Sequence, residues 1–298
     1  TLLKALQHSR ECGILVCLHC ENGDVIYELV HQFLSQGNTG PAYHPLSRPA
    51  VVEEEAVGRA IALARVAEAP LYIVHLSSGG ALKVVADARL RGEPVFAETC
   101  PQYLLLDDEC YHTGSFEAAK FVMSPPLRRP ADQEKLWNGM IRGMIDTVAT
   151  DHCSFNFKGQ KDAGLTDFSR IPNGIPGAEH RLALLFTNGV VAGKLTPQDF
   201  VRLTSSRPAQ LFGLYPRKGT IAPGSDADIV AWDPGRESVI TSSTQHHRVD
   251  YTPYEGFRTV GRAVHVFIRG QQVICDGQLN GAPAGTYLTR KPFVSGRV

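Results

Sequence analysis

The sequence has no surplus of either charge. Its 30 Lys and Arg residues balance 30 Asp and Glu, so the formal net charge is zero. Nothing in that balance draws the chain to nucleic acid or to an anionic membrane. No apolar run approaches the roughly 20 residues that a membrane span needs. The first residues, TLLKALQHSRECG, lack the charged, apolar and small-residue zones of a signal peptide. They also lack an initiator Met and read like the middle of a helix, so a start inside a longer protein is expected. Regular cysteine spacing is missing too. The seven cysteines, Cys12, Cys17, Cys20, Cys100, Cys110, Cys153 and Cys275, are odd in number and scattered. This argues against a disulfide framework and for a reducing, cytoplasmic compartment. Cys17 and Cys20 do have the spacing of a redox motif, but that motif opens a helix, and Cys17 closes an apolar run. If the run is a strand, the odd offset sends the two thiols to opposite faces. There is no internal repeat and no low-complexity segment.

What is present fits a globular protein. The 298 residues suffice for more than one domain, and 43% hydrophobic with 20% charged residues is ordinary for such a chain. Up to residue 215, short apolar runs alternate with helical patterns. Runs at 13–18, 71–74, 95–97 and 146–150 read as buried strands. Stretches 51–68, 80–91, 131–144, 177–188 and 197–212 read as helices. Apolar strands alternating with helices indicate a parallel sheet covered on both faces. Four strands are visible where a closed (β/α)8 barrel has eight. The sheet is therefore open, or it is part of a barrel. Beyond Leu214, Pro-Gly and Asp-rich turns split short strands, and 264–275 reads as a hairpin around Arg269-Gly270. Residues 1–215 and 216–298 are expected as separate units, the second a small β-domain with an irregular Gly/Pro-rich tail from Gly281.

Three strand ends share a feature. His19, His75 and Asp151 each lie just past an apolar run. In parallel α/β architectures the C-terminal strand ends open on one face, so residues remote in sequence converge there. Imidazole with carboxylate suits zinc or a similar divalent ion, which lowers the pKa of bound water to about 7. A nearby carboxylate can move that water's proton to a leaving nitrogen. Each residue alone also has a plain structural reading: a hydrogen-bonded histidine, or an aspartate capping a helix. His44, His112, His180 and His265 carry no partner pattern. His246 and His247 are adjacent, and as strand neighbours they would face opposite ways. His152 beside Asp151 is expected to line the site without being a ligand.

The ordered set of segments is more specific. His19-Cys-Glu-Asn-Gly-Asp24, Glu98-Thr-Cys-Pro-Gln-Tyr103, Ser124-Pro-Pro-Leu-Arg128 and Asp151-His-Cys-Ser-Phe155 resemble hydantoinases and dihydropyrimidinases. So do Ile171-Pro-Asn-Gly174, Lys218-Gly-Thr-Ile221, Gly224-Ser-Asp-Ala-Asp228 and Val249-Asp-Tyr-Thr-Pro-Tyr-Glu-Gly256, in the same order. The resemblance covers essentially the whole chain. It implies an α/β fold: the C-terminal part of a (β/α)8 amidohydrolase barrel with part of a small β-sandwich. It implies hydrolysis of cyclic amides, opening dihydropyrimidine or 5-substituted hydantoin rings to N-carbamoyl amino acids. It also implies two divalent metal ions, zinc by preference, bridged by hydroxide and a carboxylated lysine. His19 and His75 match the ligands of the more exposed ion. Asp151 matches the ligand of the buried ion and the catalytic proton shuttle. Ser124 and Asn173 match residues whose backbone holds the cyclic amide substrate. A homo-oligomer, a tetramer in this family, is expected, with no nucleic-acid or membrane partner.

One departure stands out. The family's H-x-H pair and bridging lysine are not found in the sequence and are expected upstream of Thr1. This chain alone would then bind metal weakly and be nearly inactive, with apolar strand edges exposed. A collapsin response mediator-type scaffold, which shares the fold but has lost metal ligands, is the non-catalytic alternative. Allantoinase and dihydroorotase are the enzymatic ones.

Overall fold

The computed structural model describes residues 1–281 and 285–293. The first part of the chain alternates helix and strand. The helices are α1 (Leu2–Cys12), α2 (Gly23–Ser35), α3 (Tyr43–Leu46), α4 (Ala50–Ala67), α5 (Gly79–Leu90), α6 (Pro101–Leu105) and α7 (Pro130–Ile141). Between them run β1 (Val16–Leu18), β2 (Leu71–Ile73), β3 (Val95–Thr99) and β4 (Thr147–Val148). The helices α8 (Arg181–Leu185), α9 (Pro197–Val201) and α10 (Arg207–Leu211) follow. Strands β5 (Ile229–Val239), β6 (Arg258–Ile268), β7 (Gln271–Cys275) and β8 (Gln278–Leu279) close the order.

The four early strands form one parallel sheet in the order β1-β2-β3-β4. Val16 pairs with Leu71, and Leu71 with Val95, so the strands run in step and their ends fall along one edge. Leu71, Tyr72 and Ile73 are all essentially inaccessible. A strand covered on both faces has no polar side to present, which is why the sequence here is continuous rather than alternating. Helix α4 buries Ala56, Val57, Ala60, Ile61 and Ala64, a stripe at helical spacing, and packs against α1 and α5. Helix starts follow local chemistry. The Asn22 side chain accepts from the Val25 amide to start α2, and Ser78 accepts from Ala81 to start α5.

Strands β5 to β8 form a second, antiparallel sheet in sequence order. The expected hairpin is there. Ile268 pairs with Gln271 across Arg269 (φ 49°) and Gly270 (φ 80°). Two successive positive φ angles match the twist that a two-residue hairpin loop requires. Residues 285–293 have no regular structure, and the rest of the expected tail lies outside the described residues.

Several boundaries differ from the sequence reading. Helix α2 was not expected at all; it begins at Gly23, within the last two residues of the His19-to-Asp24 segment. Helix α8 starts at Arg181 rather than at 177, because residues 177 and 178 donate their amides to His152 instead. The stretch 197–211 is helical throughout but widens to a π-helix at Arg202–Ser206. His246 and His247 lie in the loop between β5 and β6, not in a strand. Among the described residues all seven cysteines are unpaired. No described helix is long and apolar enough to cross a membrane.

Candidate metal centre at the strand ends

The paired strands β1 and β2 deliver His19 and His75 to the same place. His19 Nδ1 stands 2.9 Å from His75 Nε2, with the rings edge to face and their centroids 4.8 Å apart. Glu21 approaches His19 from the other side, its carboxylate 3.1 Å from Nε2. His75 is buried and its Nδ1 has no hydrogen-bond partner. Burial first, and then the neighbouring His19, hold His75 well below the usual imidazole range. It is therefore neutral at neutral pH, the form that binds a cation.

Backbone geometry marks the same edge. His75 (φ 40°) and Asp151 (φ 50°) both occupy the left-handed region. A non-glycine residue pays for that conformation, most for side chains other than Asn and Asp, and such positions cluster at functional sites. Glu98, at the end of β3, donates nothing and accepts the His75 amide at 3.4 Å and the Tyr72 hydroxyl at 2.7 Å. Burial raises its carboxyl pKa.

Asp151 follows β4, on the same edge. It is exposed, and its charge favours protonation of His75. Ser124 is half-buried with an unpartnered hydroxyl, and Asn173 is exposed. The two segments are tied together: the Gly174 amide donates to the Val122 carbonyl at 3.0 Å. Gly174 itself has φ 147°, and a Cβ there would collide with the Cys153 carbonyl. Glycine is thus required where the 173–177 loop crosses the Asp151-to-Cys153 segment.

The donor set fits a divalent ion in part. Two nitrogens bonded to one tetrahedral zinc at about 2.0–2.1 Å stand roughly 3.3 Å apart, somewhat wider than the 2.9 Å found, which is a hydrogen-bond distance. Among the described residues, no group of three or more His, Cys, Asp or Glu side chains is placed to hold an ion on its own. As metal ligands the two histidines would form an incomplete shell. A groove of about 430 Å³ lies elsewhere, between α8 and the antiparallel sheet, and includes none of these residues.

Sequence reasoning named His19, His75 and Asp151 and missed their neighbours. Glu21 and Glu98 both sit in segments quoted above, without a role. His180 and His247 were set aside, yet the His247 ring packs 4.8 Å from His152 and 5.3 Å from His180. Nothing local signals those contacts, because the partners are more than 60 residues apart.

Comparison with known proteins gives the family. The amidohydrolase family model matches residues 1–273. D-phenylhydantoinase of Escherichia coli O139:H28 is 48% identical over 295 residues, 98% of this chain and 64% of that protein. Dihydropyrimidinase from Brevibacillus agri superposes with a TM-score of 0.97 at 48% identity, over 99% of this chain and 64% of that one. L-hydantoinase from Arthrobacter aurescens gives 0.87 at 31% identity, over 94% and 61%. The chain thus spans about 64% of the length of the curated relatives it matches. The parallel sheet corresponds to part of their barrel and the antiparallel sheet to part of their β-domain. The chain belongs to the amidohydrolase family.

Proposed function

We propose that the protein hydrolyses the C–N bond of cyclic amides, opening dihydropyrimidine or 5-substituted hydantoin rings to N-carbamoyl amino acids. The observation that carries this reading is the approach of His19 Nδ1 to His75 Nε2 at adjacent strand ends, with Asp151 on the same edge. The relatives named hydantoinase and dihydropyrimidinase support it over a scaffold.

In this reading His19 and His75 would hold one divalent ion, zinc by preference, and Asp151 would hold a second. When bound, such ions supply Lewis acidity and make water acidic enough to ionise near neutral pH. Asp151 accepts the proton of the attacking water and delivers it to the departing ring nitrogen, so one water is consumed and one C–N bond broken. Main-chain groups of Ser124 and Asn173 hold the cyclic amide flat against the loop. Glu21 and Glu98 orient His19 and the His75 backbone. The unit boundary near residue 215, a cytoplasmic location and a tetramer belong to the same proposal.

The test is to load the natural-length protein with zinc and supply dihydrouracil and 5-phenylhydantoin. Mass spectrometry should detect the N-carbamoyl product. Asp151→Asn should lower turnover by about 10²–10⁴ while the circular dichroism stays unchanged. Neither ring being opened would sink the reading.

A further inference from the structure

Lys161 is completely buried. Among the described residues, no carboxylate lies within ion-pair distance of it. Its Nζ donates to two main-chain carbonyls instead, Val122 at 2.9 Å and Pro172 at 2.9 Å. Neither carbonyl lies in a strand or helix. Val122 stands two residues before Ser124, and Pro172 one residue before Asn173. The Val122 carbonyl also takes the Gly174 amide. One side chain thus pins both segments that the proposed function assigns to the substrate.

Placing an amine here is costly. A buried ammonium without a counter-charge loses its hydration, and an apolar side chain of similar length would fill the space. Burial lowers the Lys161 pKa to about 7. A neutral amine has two N–H groups, as many as the carbonyls it meets, so the contact survives deprotonation. What the amine supplies and an apolar residue cannot is a fixed distance between two irregular segments.

We infer that Lys161 is a positioning residue for substrate: its amino group sets the separation of the Ser124 and Asn173 segments, and thereby the affinity for a planar cyclic amide. The inference rests on the proposed function for the identity of the ligand, but not for the clamp itself.

Lys161→Met in the zinc-loaded, natural-length protein separates the two. Steady-state kinetics on dihydrouracil should show KM raised by about tenfold with kcat within about threefold, the signature of lost binding that is shared by ground and transition states. Zinc content should not change. Hydrogen exchange should accelerate in peptides covering 122–126 and 172–177, and not in β2 or β3. An unchanged KM, or a fall in kcat alone, would overturn the positioning role. Exchange that is unchanged, or faster throughout the chain, would overturn the clamp. If Lys161→Met does not fold, Lys161→Gln, which keeps two N–H donors but on a shorter side chain that cannot be charged, takes its place under the same criteria. If the wild type opens neither ring, the functional reading fails, and the exchange comparison still decides the clamp.

Discussion

His19 and His75, 56 residues apart, meet with 2.9 Å between Nδ1 and Nε2. Both nitrogens carry lone pairs in the neutral rings unless one donates to the other, so the contact is either a single N–H···N bond or half of a metal shell. The two possibilities respond differently to substitution. His19→Ala and His75→Ala should each lower the zinc bound per chain, measured by atomic emission after dialysis. If both variants retain wild-type zinc, the pair is only a hydrogen bond.

The pair was legible in the sequence because the strands that carry it are. Ile14-Leu-Val-Cys-Leu18 and Leu71-Tyr-Ile-Val74 are continuous apolar runs, and each histidine is the first polar residue after its run. Parallel pairing does the rest, since strands in step must end together. The supporting residues were not legible. Lys161 lies in an ordinary polar stretch, Phe157-Lys-Gly-Gln-Lys161, and a sequence carries no local mark of a lysine turned inward. The same holds for His247. Its adjacent position to His246 suggested a strand pair, whereas its neighbours His152 and Glu179 come from elements far away in the chain. Helix α2 was missed although its apolar stripe is in the sequence: Ile26 is buried, and Val30, Phe33 and Leu34 pack half-buried against the core.

Asp146, at the entrance to β4, is another such convergence. Its Oδ1 accepts from Arg207 at 2.7 and 3.0 Å, and its Oδ2 from Arg89 and from the Ala97 amide at 2.9 Å. One carboxylate therefore joins α5, α10 and β3 to β4. Removing it leaves Arg207 and the Ala97 amide without an acceptor, and Arg89 with only the Val95 and Gly143 carbonyls. Asp146→Ala should cost on the order of 3–5 kcal/mol in chemical denaturation. A loss within the range of an exposed ion pair, below about 1 kcal/mol, would show that the network relaxes onto water.

Acid should act through His44. It is buried, its Nε2 donates to the Met123 carbonyl at 2.8 Å, and burial with nearby Arg48 lowers its pKa to about 3 from the usual 6.5. The folded chain therefore binds this proton less readily than the unfolded chain. Between pH 6.5 and 3 the unfolded state carries more protons, and stability falls as pH falls through that window. Above pH 6.5 the contribution is fully present. His44→Gln keeps a donor for Met123 and cannot titrate. The variant should lose less stability than the wild type between pH 6.5 and 4 in urea titrations. Parallel stability curves would assign the acid sensitivity to other groups.

The last test concerns the crossing of the 173–177 loop over the segment after Asp151. Gly174 combines an unusual backbone angle, φ 147°, with contact against Cys153. Gly159 has a positive φ of 83° but open space where a Cβ would go. Alanine at Gly159 should therefore cost about 1–2 kcal/mol, the conformational penalty alone. Alanine at Gly174 adds a collision with the main-chain carbonyl of Cys153, which can be relieved only by moving one segment away from the other. Gly174→Ala should exceed Gly159→Ala in stability lost. If the proposed function holds, it should also raise KM, because Asn173 shifts with the loop. Equal losses for the two variants would mean that the crossing is loose, and that the loop's position is set by its hydrogen bonds to Val122 and Lys161 rather than by close packing on Cys153.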